Sequence, residues 1–204
     1  IGDKTILEIL LGQMKRAGIN HVALTVGHLA GLMRAFFQDG SQYDLDITYI
    51  LEEKPLGTAG PLAQVPKLKK TFIVANGDVL TLLDIADLIR FHKHNKGIWT
   101  IAMHERQVKI DLGVIELANG DHTVSGYVEK PTIDYKVSMG LYIFEPRVLD
   151  YIPKGEYLDF PDLVQKLLAS GERVVGYPFS GYWQDLGRPD DYEQAVADFE
   201  TMRK

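Results

Sequence analysis

Apolar residues along this chain switch between a helical and an extended period, and the switches mark its elements. Ile6, Ile9, Leu10, Met14 and Ala17 share one helical face with Gln13, which predicts a helix from Thr5 to Ala17, capped by Thr5 and stopped by Gly18. His21 to Val26 reads as a buried strand ending at Gly27. A helix over about His28 to Gln38 follows, and its stripe of Leu29, Leu32, Met33 and Phe36 is expected to face the core. Leu45 to Leu51 is the next strand, so the opening third has the strand–helix–strand order of a parallel sheet. Glu52 to Gly60, with Pro55, Gly57 and Gly60, is a shaped loop opening a short helix near Ala59 to Val65. Phe72-Ile73-Val74-Ala75 then runs without alternation into Asn76-Gly77-Asp78, which predicts a strand buried on both faces of a parallel sheet. A helix over Asp84 to Asn95 and a strand over Trp99 to His104 complete this half.

After His104 the pattern shortens. Leu112 to Leu117, Val124 to Val128 and Val137 to Phe144 read as strands, the first two joined by a turn at Asn119-Gly120. A helix near Phe160 to Ala169, a strand near Val174 to Tyr177 and a last helix from Pro189 to about Met202 follow. No repeat or flexible linker divides the chain, so one domain over residues 1–204 is expected.

Composition narrows the class. With 46% hydrophobic and 25% charged residues the chain is of ordinary globular make-up, which argues against disorder. A net charge of −6 argues against nucleic-acid or membrane-surface binding, while leaving room for a local phosphate pocket. The absence of cysteine excludes disulfides and thiolate metal sites and suits a cytoplasmic protein. No apolar run reaches membrane-spanning length, and no signal peptide is visible.

The candidate chemistry is acidic and sits at strand ends. Asp78 lies at the carboxyl end of its strand, where open α/β sheets bind ligands, and Gly77 leaves room for one to approach. Asp185, beside Trp183 and ahead of Gly187-Arg188-Pro189, is the second carboxylate. Two such Asp can grip one Mg²⁺, which takes few protein carboxylates and keeps positions for substrate phosphates. Glu129-Lys130-Pro131 ends a strand; Lys130 offers a charge to a phosphate and Glu129 an acceptor to sugar hydroxyls, against the plainer reading of an exposed ion pair. His92 and His94 fall on different faces of a helix end, so they answer the helix dipole rather than share a metal. Asp44-Leu45-Asp46 has the Asp-x-Asp form of metal-dependent glycosyltransferases but precedes its strand.

Gly2-Asp3-Lys4-Thr5-Ile6-Leu7, Pro55-Leu56-Gly57-Thr58-Ala59-Gly60, Asn76-Gly77-Asp78, Leu112-Gly113-Val114, Val128-Glu129-Lys130-Pro131 and Trp183-Gln184-Asp185-Leu186-Gly187-Arg188-Pro189, in this order, resemble the sugar-1-phosphate nucleotidylyltransferases. The resemblance implies a Rossmann-like, mostly parallel mixed α/β sheet flanked by helices. It implies Asp78 and Asp185 as Mg²⁺ ligands, and Gly57, Thr58 and Ala59, with Gly77, on the nucleotide. It also implies Gly113, Glu129 and the Ser138 position on the sugar, and Lys130 on the sugar phosphate. The implied reaction joins an NTP and a sugar 1-phosphate into an NDP-sugar and pyrophosphate.

The motif Glu52-x-x-Pro55-Leu56-Gly57-Thr58-Ala59-Gly60 looks most like mannose-1-phosphate guanylyltransferases. Guanine offers two donors on its Watson–Crick edge and a carboxylate accepts both, so Glu52 points to GTP. Two departures stand out. The family's first strand and its Gly-rich Gly-Thr-Arg loop would precede Ile1, so these 204 residues alone are expected to lack the first strand and to turn over weakly or not at all. Ser138 stands where relatives carry a longer Asn. The alternative reading is a non-catalytic nucleotide-binding regulatory module of the same fold, and a homo-oligomer is left open.

Overall fold

The computed structural model describes residues 3–118, 120, 122–187, 193, 195, 197 and 198. The expected last helix lies largely outside the described residues, as does Asn119. Helix α1 (Ile6–Arg16) opens on a reciprocal cap: Glu8 N donates to the Thr5 hydroxyl at 3.2 Å and Thr5 N donates to the Glu8 carboxylate at 2.7 Å. Gln13, the polar member of its inner face, donates to the Thr81 carbonyl at 2.5 Å.

Strands β1 (His21–Val26) and β2 (Asp46–Leu51) pair in parallel, His21 opposite Asp46 through Val26 opposite Leu51, with α2 (Ala30–Phe37) crossing between them. This is the expected strand–helix–strand unit. The stripe assigned to its helix is corrected: Leu29, Leu32 and Phe36 are 53%, 66% and 46% exposed. The helix docks instead through Met33 and Phe37, one turn apart, against Leu11, Leu45 and Ile47.

The larger sheet has the order β3–β8–β5–β9, from β3 (Phe72–Ala75), β5 (Trp99–Lys109), β8 (Thr132–Phe144) and β9 (Val174–Phe179). β5 and β9 are parallel, while β8 runs antiparallel to both β5 and β3. Phe72–Ala75 is therefore half-buried against an antiparallel partner, not buried on both faces of a parallel sheet as its apolar run suggested. The strand that is buried on both faces is the carboxyl half of β8. Its Tyr142 and Phe144 pack with Trp99 and with Phe160, Leu163 and Leu167 of α4 (Phe160–Ala169). Its Leu141 and Ile143 point the other way, onto Leu10 and Met14 of α1 and Leu88 of α3 (Ile85–Asn95). Each such side chain contributes about 1.5–3 kcal/mol by leaving water, so β8 is the seam of a helix–sheet–helix stack.

Among the described residues β1 bonds only to β2 and β3 only to β8, so the sheet is parted between them. β5 and β8 both extend beyond the expected limits, and their outer halves, Glu105–Lys109 and Thr132–Lys136, pair as an exposed ribbon. From it rises the hairpin of β6 (Val114–Leu117) and β7 (Val124–Val128), closed by Ala118 N on the Thr123 carbonyl at 2.9 Å, with Gly120 at φ 79. His92 is corrected too. Rather than answering the helix dipole at the surface, it is 1% exposed, with Nδ1 2.7 Å from Thr100 Oγ1 and Nε2 3.0 Å from Glu145 Oε1.

Candidate active site

Two short strands bring the distant aspartates together. β4 (Val79–Thr81) pairs antiparallel with β10 (Trp183–Asp185), so Asp185 stands opposite Val79. Leu186 N donates to the Asp78 carbonyl at 3.1 Å, which makes the two acidic residues backbone neighbours. Both are exposed, and Gly187 N donates to Asp185 Oδ1 at 3.2 Å. Among the described residues neither carboxylate meets a Lys, Arg or His within salt-bridge distance, and no cluster of three or more acidic or imidazole groups forms elsewhere. A pair of exposed carboxylates is a donor set that fits Mg²⁺ and leaves its remaining positions to water or phosphate. Gly77, between Asn76 and Asp78, has no atom within 4 Å of where a Cβ would stand, so the turn is open to a ligand.

Across the ribbon lie the groups expected on the sugar. Lys130 is exposed and holds φ 45 immediately before Pro131, a conformation that the residue before a proline normally avoids. Such strain costs on the order of 1–3 kcal/mol and gathers at functional positions. Glu129 Oε2 accepts from the Tyr127 hydroxyl at 2.8 Å. The Ser138 hydroxyl donates to the Tyr142 hydroxyl at 2.9 Å. Burial raises the Tyr142 phenol; the hydrogen bond from Ser138 opposes that shift and the charge of Asp185 adds to it.

The expected nucleotide loop is built inward as well as outward. Glu52 is partly buried, and its Oε2 accepts from Leu56 N at 3.2 Å, so the carboxylate shapes the loop that it opens. Gly57, at φ 76, lies where a Cβ would meet the Leu158 carbonyl at 2.6 Å. Thr58 N donates to Asp159 Oδ1 at 2.9 Å, and the Thr58 hydroxyl accepts from Phe160 N at 2.8 Å. Ala59 is fully buried in the core beside Leu62. Thr58 and Ala59 thus fasten the loop to the start of α4. Thr58→Ala is expected to cost about 1–2 kcal/mol of stability through the lost cap, read as a lower urea midpoint.

The structure adds residues that the sequence did not single out. Gly140, at φ 73, sits where a Cβ would come within 2.9 Å of Asn76 Nδ2 and Val79 Cγ2, and its carbonyl accepts from Asn76 N at 2.9 Å. It is the seat of the turn that carries Asp78. A register break beside it, between Ile101 and Met103 of β5, lets β8 place Met139 inward and Ser138 outward. Arg106 lies 4.9 Å over the ring of Trp183, whose Nε1 donates to the Met139 carbonyl at 3.0 Å. This sets a cation on the Trp183 ring from a part of β5 beyond the expected strand end.

The fold of this chain is shared by solved structures. A putative glucose-1-phosphate thymidylyltransferase from Bacillus anthracis superposes with a TM-score of 0.72 at 20% identity, over 94% of this chain and 81% of that one. HddC from Yersinia pseudotuberculosis complexed with GMP-PN gives 0.70 at 21% identity, over 96% and 86%. The family model described as nucleotidyl transferase matches residues 1–202, and the chain belongs to that family. A mannose-1-phosphate guanylyltransferase of Mycobacterium tuberculosis is 36% identical over 93% of this chain and 54% of its own length. A UTP–glucose-1-phosphate uridylyltransferase of Synechocystis is 30% identical over 95% and 55%. The chain therefore spans about half the length of these curated relatives. No helix among the described residues is long and apolar enough to cross a membrane.

Proposed function

We propose that this chain is the core of an enzyme that transfers a nucleotidyl group, guanylyl in the first instance, from an NTP to a sugar 1-phosphate. The observation that carries the reading is the β4–β10 pairing that makes Asp78 and Asp185 neighbours at the edge of an open turn. A phosphate oxygen of the sugar 1-phosphate attacks the α-phosphorus of the NTP, an NDP-sugar forms, and pyrophosphate leaves. Because two anions must meet, positioning and charge neutralisation are the protein's main contributions. Asp78 and Asp185 would hold Mg²⁺, which supplies positive charge to the phosphate oxygens. Lys130 holds the sugar phosphate in line, and Glu129 with Ser138 and the Gly113 backbone receives the sugar hydroxyls. The free lone pairs of Glu52 accept the two guanine donors, and the Gly57–Thr58 turn, held from below by the buried Ala59, lies against the base. The guanylyltransferase among the relatives supports the base assignment; the uridylyltransferase among them makes it worth testing.

Calorimetric titration with GTP, UTP and dTTP in the presence of Mg²⁺ provides that test. GTP is expected to bind at least tenfold more tightly, and Glu52→Gln is expected to erase the preference, an amide being unable to accept both donors. A tighter UTP or dTTP isotherm would overturn the guanylyl assignment. Nucleotide binding without turnover in the chain as its gene encodes it would favour the regulatory module instead.

A further inference from the structure

Tyr127 is the least explained aromatic beside the proposed sugar groups. It lies on β7 opposite Ile115 of β6, and its side chain is 62% exposed. An exposed tyrosine on a two-stranded hairpin normally leaves its hydroxyl to water. Here the hydroxyl is committed twice. It donates to Glu129 Oε2 at 2.8 Å, and it rests on the bare backbone of Gly113, where a Cβ would stand only 2.0 Å from the phenol oxygen and 2.4 Å from Cζ. The space left by glycine at position 113 is thus filled by Tyr127. Hydrogen bonding to the Glu129 carboxylate also raises the phenol above its ordinary value, keeping it a donor.

We propose that Tyr127 is a positioning residue for the sugar 1-phosphate: anchored on Gly113, its hydroxyl fixes the Glu129 carboxylate in the orientation that accepts a sugar hydroxyl. The role rests on the transferase reading above. Residues two apart on a strand share a face, so the phenol reaches Glu129 without bending the chain. With one lone pair of Oε2 taken by the phenol, Oε1 and the remaining lone pair point to the substrate. The tyrosine oxygen keeps an acceptor site for a second sugar hydroxyl. A carboxylate left free on an exposed hairpin would sample several rotamers and lose that orientation on each encounter.

Tyr127→Phe keeps the ring and its contact with Gly113 while removing the donor. In steady-state assays of the chain as its gene encodes it, with GTP, Mg²⁺ and mannose 1-phosphate or glucose 1-phosphate, the variant is expected to raise the KM for the sugar phosphate about tenfold, the worth of a hydrogen bond to a charged group. The KM for GTP and the urea midpoint are expected to stay unchanged. In a Glu129→Gln background the same substitution is expected to add little, because its effect runs through the carboxylate. An unchanged sugar KM in Tyr127→Phe, or an equal loss in both backgrounds, overturns the role while leaving the transferase reading in place. A wild type that uses neither sugar phosphate overturns both.

Discussion

Asp78→Asn and Asp185→Asn are each expected to lower turnover about a thousandfold without unfolding the protein. Each substitution removes one negative donor from the pair that the β4–β10 ladder holds side by side. An amide oxygen is a far weaker partner for Mg²⁺ than a carboxylate, and positive charge on the phosphates is worth several kcal/mol where two anions approach. A loss of about 4 kcal/mol corresponds to a thousandfold in rate. Both side chains are exposed, so stability is expected to change by less than about 0.5 kcal/mol. The measurements are kcat as a function of Mg²⁺ and a urea unfolding curve for each variant. Turnover within tenfold of wild type for either would remove that residue from the site.

Gly140→Ala is expected to damage stability and activity together. At φ 73 a Cβ costs roughly 1–2 kcal/mol in backbone strain. Its approach to 2.9 Å from Asn76 Nδ2 and Val79 Cγ2 must also be relieved, and overpacking of this kind costs roughly 1–3 kcal/mol more. The total, about 2–5 kcal/mol, is expected as a lower urea midpoint. Relief requires Asn76 and Val79 to move, and they bracket Gly77 and Asp78, so Mg²⁺ affinity is expected to fall as well. A folded variant with unchanged stability would show that the turn absorbs the methyl group, and that Gly140 does not seat Asp78.

Local signals in the sequence were read well where the structure is local. Thr5 caps α1 as expected, and the strands before and after Gly120 pair as the hairpin that its turn signal predicts. Asp78 was visible as a carboxylate after an apolar strand and Asp185 by its place between Trp183 and Gly187-Arg188-Pro189, although only the ladder between β4 and β10 brings them together. The central place of β8 was not legible. Its outer half, Thr132–Lys136, is polar and exposed, so apolar periodicity detects only the buried end, and its two partners lie far away in sequence. Of the stripe expected on α2 only Met33 faces the core; Phe37, one turn on and outside the stripe, is its partner there, and side chains from α1 and β2 select that face. The structural part that Thr58 plays, accepting from Phe160 N, is a contact that no short window contains. Tyr127 had a signal that could have been used: on a strand, Tyr-x-Glu places phenol and carboxylate on the same side.

The paired outer halves of β5 and β8 matter beyond their shape. Glu129, Lys130 and Tyr127 hang from that ribbon, out in solvent, whereas Asp78 is moored to the packed seam through Asn76 and Gly140. One reactant's grip is thus mounted on a cantilever and the other's on bedrock. In the proposed reaction such a division would let the arm yield to a finished sugar nucleotide while the acidic pair kept its place.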